Sequence, residues 1–274
     1  MDERAFQDIL AVVHARRGLD FRDYRRDTLE RRFETRLRAV GCGDLASYQE
    51  RLSLEPDEVD RLVETLVVPV TEFFRDGPVF QDLAAEVVPA LMERKDFVHA
   101  WVVGASTGEE AYSLAFVLAG AAQGRDASFQ VVATDIDRRS LVAARAGVYD
   151  KTDLAGLPVE LRARFFQEDA AGFRVSASIR ERVQFIEHDV MGTTLAPREA
   201  IVASFDLILC RNVLLYFDDG LRAKAIDRLT ALVEPGGGLV LGTSESLPEG
   251  VARSFRPWPR THAGGQIFRR GPHP

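Results

Sequence analysis

From residue 97 onward the sequence sets short β-rich apolar runs, at 97–103, 129–134, 183–186, 205–210 and 238–242, between stretches of helical periodicity such as 109–121 and 221–233. Strands separated by helices cannot pair through tight hairpins and must join by crossovers, so the alternation predicts a mostly parallel, doubly wound α/β sheet. Sheets of this kind bind ligands beyond the carboxyl ends of their strands. Those ends are therefore where functional residues are sought.

The first seventy residues carry a different period. Apolar side chains recur at three and four (Phe6, Ile9, Leu10, Val13, then Leu29, Phe33, Leu37, Val40), with breaks at Gly18 and at 41–43. A third helix fits 45–54, Pro56 opens a fourth over 57–66, and the only strand-like stretch here is 66–70. The predicted organisation is an all-α domain over 1–70 and an α/β domain over 71–274. The second domain begins with a helical pattern through 92 and carries a small inserted β-subdomain at about 153–182, with a short helix at 159–166 and a Gly172 turn beside Phe173-Arg174-Val175.

With 46% apolar residues the chain can bury a core, and its net charge of −7 removes the positive field on which nucleic-acid binding rests. Cys42 and Cys210 are too few for a disulfide framework or a zinc site, and no metal is expected. The charged N-terminus lacks an apolar export segment, and no apolar stretch approaches the roughly 20 residues of a membrane span. The expectation is a cytoplasmic protein with no membrane insertion.

Three of the predicted strands end in polar residues. The first runs into Gly104-Ala105-Ser106-Thr107-Gly108-Glu109-Glu110, a glycine-bracketed turn in which Gly104 lets the backbone approach a ligand and the paired glutamates suit amines or hydroxyls better than a pyrophosphate. Ser106 takes the second glycine's place in G-x-G-x-x-G, so the dinucleotide fingerprint is incomplete. The second ends in Asp135-Ile136-Asp137, where Asp135 stands at the place of a ribose-binding carboxylate and Asp137 can cap the next helix. The fourth ends in Arg211-Asn212. The glycine loop also fits the G-x-S-x-G nucleophile elbow, with Asp206 and His262 following in the order a serine hydrolase needs. Against that alternative, an elbow follows an interior strand, and little strand is expected before Ser106.

Thr-Glu-Phe-Phe-Arg at 71–75, Ala-Ser-Thr-Gly-Glu-Glu at 105–110, Thr-Asp-Ile-Asp at 134–137, Cys-Arg-Asn-Val-Leu-Leu-Tyr-Phe at 210–217 and Gly-Thr-Ser-Glu-Ser at 242–246 follow an arginine-rich helix. Together they resemble the chemotaxis receptor methyltransferase (CheR) family over nearly the whole chain. The resemblance implies a Rossmann-like, S-adenosylmethionine-dependent methyltransferase domain behind an all-α domain. It implies methylation of glutamates on chemoreceptor cytoplasmic helices to glutamyl methyl esters, with S-adenosylhomocysteine as product, by a monomer. Carried over residue by residue, it puts cofactor contacts at Thr71, Arg75, Glu110, Asp135, Asp189, Val190, Arg211 and Asn212, with Asp135 on the ribose and Asp189-Val190 flanking the adenine.

Pro69 departs from the family, whose members often have asparagine two residues before the threonine. A polar contact is lost there, which suggests a non-catalytic, cofactor-binding scaffold of the same fold as an alternative. The implied chemistry needs no general base, because a glutamate with a pKa of about 4.3 is ionised at neutral pH and requires alignment and desolvation instead. Arg75, a forked donor, and Tyr216, a hydroxyl donor, are the candidate catalytic residues. The insert resembles the subdomain with which some members capture a receptor-tethered peptide, and its short turn at 167–172 leads to the expectation of a peptide-independent type.

Along residues 22–38, steps of about 100° set Asp23, Asp27, Glu30 and Glu34 on one stripe and Arg25, Arg32 and Arg36 on another, which has no acid three or four residues away. This stripe is the predicted docking surface for a glutamate-bearing receptor helix.

Overall fold

The computed structural model of the chain describes residues 2–67, 71–200, 204–261 and 266–271. Four helices come first: α1 (Glu3–Arg17), α2 (Arg26–Val40), α3 (Leu45–Leu54) and α4 (Glu58–Leu66). Asp2 and Asp44 open α1 and α3 by accepting from the amides of Ala5 and Ser47, while Gly18 and Gly41 close α1 and α2 with left-handed φ. The apolar stripes of the four helices meet in one core around Phe6, Phe33, Tyr48 and Leu62. Of the strand-like stretch 66–70, Leu66 closes α4 and residues 68–70 lie outside the described residues.

The helical pattern that follows is α5 (Gly77–Asp82), one π turn (Leu83–Val87) and α6 (Val88–Met92). Pro89 has no N–H to give, and the wide turn immediately before it absorbs the missing bond. Next in order are β1 (Phe97–Val103), α7 (Glu109–Ala122), β2 (Ser128–Asp135), α8 (Arg138–Ala146), β3 (Val148–Tyr149), α9 (Val159–Phe165), β4 (Phe166–Asp169) and β5 (Gly172–Val175). The chain then forms α10 (Ala177–Arg180), β6 (Val183–Glu187), β7 (Phe205–Cys210), α11 (Asp219–Leu232), β8 (Val233–Leu241), β9 (Phe255–Pro257) and β10 (Ile267–Arg270).

Seven strands form one sheet in the order β6-β2-β1-β7-β8-β10-β9. The first five are parallel, and β10 and β9 add antiparallel pairings. This is the mostly parallel, doubly wound sheet that the alternation predicts. Strands β3, β5 and β4 make a separate antiparallel sheet, the small inserted β unit. Side chains of β1 alternate between two cores: Val98, Ala100 and Val102 face the one under α7, and Trp101 and Val103 the one under α11. Strand order runs outward in both directions from β1, so the sheet's switch point lies between β1 and β7, and a crevice opens there beyond the carboxyl ends. Among the described residues no helix is long and apolar enough to cross a membrane.

Candidate active site

A cavity of about 330 Å³ fills this crevice. Thr71, Arg75, Gly104, Glu110, Asp135, Asp189, Val190, Arg211, Asn212 and Tyr216 all line it, brought together from four strand ends and the segment before α5. Arg32 of α2 also reaches it, whereas Arg25 and Arg36 do not.

The local geometry explains why these residue types stand here. Gly104 has φ of +73°, and a Cβ on it would meet Val213 Cγ2 at 2.4 Å, so only glycine lets the turns after β1 and β7 come together. Asp135 accepts from the amides of Ser106 at 2.8 Å and Asp137 at 2.9 Å. Burial pushes its pKa up and those two N–H groups oppose the shift. Two accepted bonds leave a carboxylate with lone pairs for a ligand's hydroxyls. Asp137 meanwhile caps α8 through the amides of Arg139 and Ser140, the capping role expected from the sequence. Burial likewise pushes up the carboxyls of Glu110, opposed by Arg211, and of Asp189, opposed by the Met191 amide.

Arg211 is wholly buried. Its Nη1 donates to Glu110 at 2.6 Å, and its Nη2 donates to Asp76 at 2.6 Å and to the Arg75 carbonyl at 3.0 Å. Both Nη groups are thus committed to the protein and place Glu110 and Arg75, while Nε is buried without a partner among the described residues. Asn212 has φ of +60°, and Glu245 holds that turn by accepting from the amides of Gly242 (2.7 Å), Leu214 (2.9 Å) and Asn212 (3.2 Å). The Oδ1 of Asn212 is buried without a partner among the described residues.

Two ring-bearing polar residues of the cavity, Tyr24 and His188, were not singled out from the sequence. Tyr24 enters from the helical domain on a short antiparallel bridge to Phe217, where the Arg25 amide donates to the Tyr216 carbonyl at 2.9 Å and the Asp218 amide to the Asp23 carbonyl at 3.0 Å. Its ring lies between Phe21 and Phe217, with centroids at 4.7 and 4.9 Å, and burial beside Asp189 and Asp135 pushes its phenol up, keeping it a neutral donor. No periodicity marks a residue in the loop between two helices. The other, His188, precedes Asp189 and would have been found by extending the strand-end rule to β6. Its Nε2 is buried without a partner among the described residues, and burial holds its pKa down to about 4.

Several expectations need correction. Strand β1 is a seven-residue central strand directly ahead of Ser106, so the elbow does not fail for lack of a strand. It fails because Ser106 Oγ is buried without a partner among the described residues and Asp206 lies at the opposite end of the sheet. There Asp206 accepts from the His99 amide at 2.9 Å and pairs with Lys95 at 2.6 Å. His262 and Pro69 lie outside the described residues. The arginine stripe is not unneutralised: Arg36 makes a two-pronged pair with inaccessible Glu58 at 2.7 and 2.6 Å, and Tyr48 donates to the same carboxylate at 2.7 Å. Arg25 pairs with Asp27 at 3.3 Å. A count of acids three or four residues away within one helix misses both a neighbour two residues on and an acid on another helix.

Residues 4–67 match the family described as CheR methyltransferase, all-alpha domain, and residues 69–263 match the CheR methyltransferase, SAM binding domain. The chain is 32% identical over 246 residues to chemotaxis protein methyltransferase 2 of Pseudomonas aeruginosa, covering 88% of this chain and 86% of that one. It is 31% identical over 261 residues to a chemotaxis protein methyltransferase of Klebsiella aerogenes, covering 93% of this chain and 87% of that one. An uncharacterized 104.1 kDa protein of Rhodobacter capsulatus is 32% identical over 271 residues, which cover 97% of this chain and 28% of that much longer one.

Proposed function

The chain belongs to the CheR methyltransferase family, and we propose on that footing that it methylates glutamate side chains of chemoreceptor cytoplasmic helices to glutamyl methyl esters in the cytoplasm. The observation that carries this reading is one cavity that joins Asp135, the Glu110–Arg211 pair and the unpartnered Asn212 Oδ1 to an arginine, Arg32, from the helical domain.

These residues fit S-adenosylmethionine. Asp135 offers acceptor positions to ribose hydroxyls, Asn212 an unsatisfied acceptor, Glu110 and Thr71 polar groups for the amino-acid end, and Asp189 and Val190 a polar and an apolar flank for the adenine. When bound, the cofactor supplies a methyl group activated by a sulfonium charge. Arg75 and Arg32 orient the incoming carboxylate, and the Tyr216 hydroxyl steadies it by a single donated bond. Tyr24 and Phe217, packed edge to face, keep water out of a site in which opposite charges must neutralise each other, a step that desolvation favours. No side chain has to remove a proton. The β4–β5 hairpin is closed by only Ala170 and Ala171, which favours a type that needs no tethered receptor peptide; a pull-down with receptor tail peptides checks this.

Cofactor binding is the first test. S-adenosylhomocysteine should bind the intact chain in calorimetry, and Asp135→Ala should bind it at least about tenfold more weakly, the loss of one or two hydrogen bonds to a charged group. Well-folded wild-type protein that binds neither cofactor nor product would refute the reading.

A further inference from the structure

Arg17, the last residue of α1, has a side chain only 6% exposed, set into the seam between the helical domain and the sheet. Its guanidinium joins three elements. Nη1 pairs with Asp60 of α4, and Nη2 donates to the Ile136 carbonyl at 3.0 Å and to Glu187 at 3.1 Å. Ile136 directly follows Asp135, and Glu187 ends β6 two residues before Asp189. Asp135 and Glu187 are register partners on adjacent strands, and the second oxygen of Glu187 accepts from Arg138 at the start of α8 at 2.6 Å. One side chain of the helical domain therefore ties together the two strand ends whose carboxylates face the cavity. Docking alone would be served as well by apolar packing, since a buried guanidinium adds little net stability, and here its Nε has no partner among the described residues.

We propose that Arg17 is a positioning residue for the cofactor: by holding the Ile136 carbonyl and Glu187 it sets the spacing of Asp135 and Asp189, which makes the helical domain part of the cofactor site as well as a docking platform. This rests on the cavity being the S-adenosylmethionine site. Arg139 crosses the same seam to Glu64 at 3.0 Å without bonding either strand end through its side chain, and so serves as the control.

S-adenosylhomocysteine is titrated into the full chain and into Arg17→Gln, Arg17→Lys, Glu187→Gln and Arg139→Gln, with steady-state methylation of a receptor fragment measured alongside. Arg17→Gln and Glu187→Gln should each weaken binding roughly tenfold, and Arg17→Lys by less, since it keeps the charge without the fork. Arg139→Gln should change nothing. The cofactor KM should rise in the affected variants while kcat and the receptor KM stay within about twofold, a split that general loosening of the fold does not produce. Glu187→Gln leaves the Arg17–Asp60 pair in place and keeps the test open if Arg17→Gln does not fold. Unchanged affinity in both, or an equal loss in Arg139→Gln, overturns the proposal alone. Failure of the wild type to bind overturns the cavity reading together with it.

Discussion

At the scale of single residues, the cavity is held by groups whose partners are protein and not solvent. Removing Arg211 would leave Glu110 buried and Asp76 without its partner, so Arg211→Ala is expected to cost about 3–5 kcal/mol in chemical denaturation. A loss below about 1 kcal/mol would show that the network is not structural. His188 gives a pH signature whose sign is fixed. The unfolded chain takes up its proton near a pKa of about 6.5, the folded chain only at about 4, so the unfolded state binds more protons between those values. The contribution of His188 is therefore fully present above about pH 6.5 and is lost as pH falls toward 4. His188→Gln should flatten that window of a Tm against pH profile, and an unaltered profile would contradict the assignment. Asp137 as a cap was legible in the sequence because capping is local. The pairing of Arg36 with Glu58, 22 residues on, and the entry of Tyr24 from another domain were not, because both depend on how helices pack.

At the scale of elements, the turn after β1 carries the tightest constraint. Gly104→Ala combines a left-handed backbone with a methyl 2.4 Å from Val213 Cγ2, and should cost about 2–4 kcal/mol in urea denaturation while weakening cofactor binding. Gly120→Ala is the contrast, since Gly120 sits inside α7 with open space around it and should be neutral or stabilising by up to about 1 kcal/mol. Equal destabilisation by both would mean that the clash with Val213 is relieved by movement of the turn. Strands β1, β2, β6 and β7 were legible because each is a compact apolar run. Strand β8 begins earlier than its predicted run, since Val233 pairs with Phe205 and a bulge through Glu234-Pro235-Gly236-Gly237 intervenes before Gly238 meets Leu207. Strands β9 and β10 were not legible: β9 is a three-residue edge strand whose proline and arginine suit an edge, and β10, paired between β8 and β9, is four residues long with two arginines that hide the β pattern.

At the scale of the whole molecule, a chain of net charge −7 offers its cavity a cationic residue from the helical domain. Of the three arginines of the α2 stripe, Arg32 alone lines the cavity, because Arg36 is bound to Glu58 and Arg25 to Asp27. Arg32→Glu should therefore raise the receptor KM by roughly tenfold or more at low salt, with cofactor affinity preserved, and the effect should shrink as salt screens it. Loss of cofactor binding instead would assign Arg32 to the cofactor. Arg36→Glu should act differently, destabilising the helical domain by setting a charge against buried Glu58. The two-domain architecture was legible from periodicity, whereas the seam between the domains was not, since it is made by single side chains such as Arg17 and Tyr24. The central claim is tested most directly by supplying methyl-labelled S-adenosylmethionine and a receptor cytoplasmic fragment and mapping the label. The predicted result is base-labile label on receptor glutamates that is lost in Asp135→Ala; cofactor bound without transfer, or base-stable label on another residue type, would contradict it.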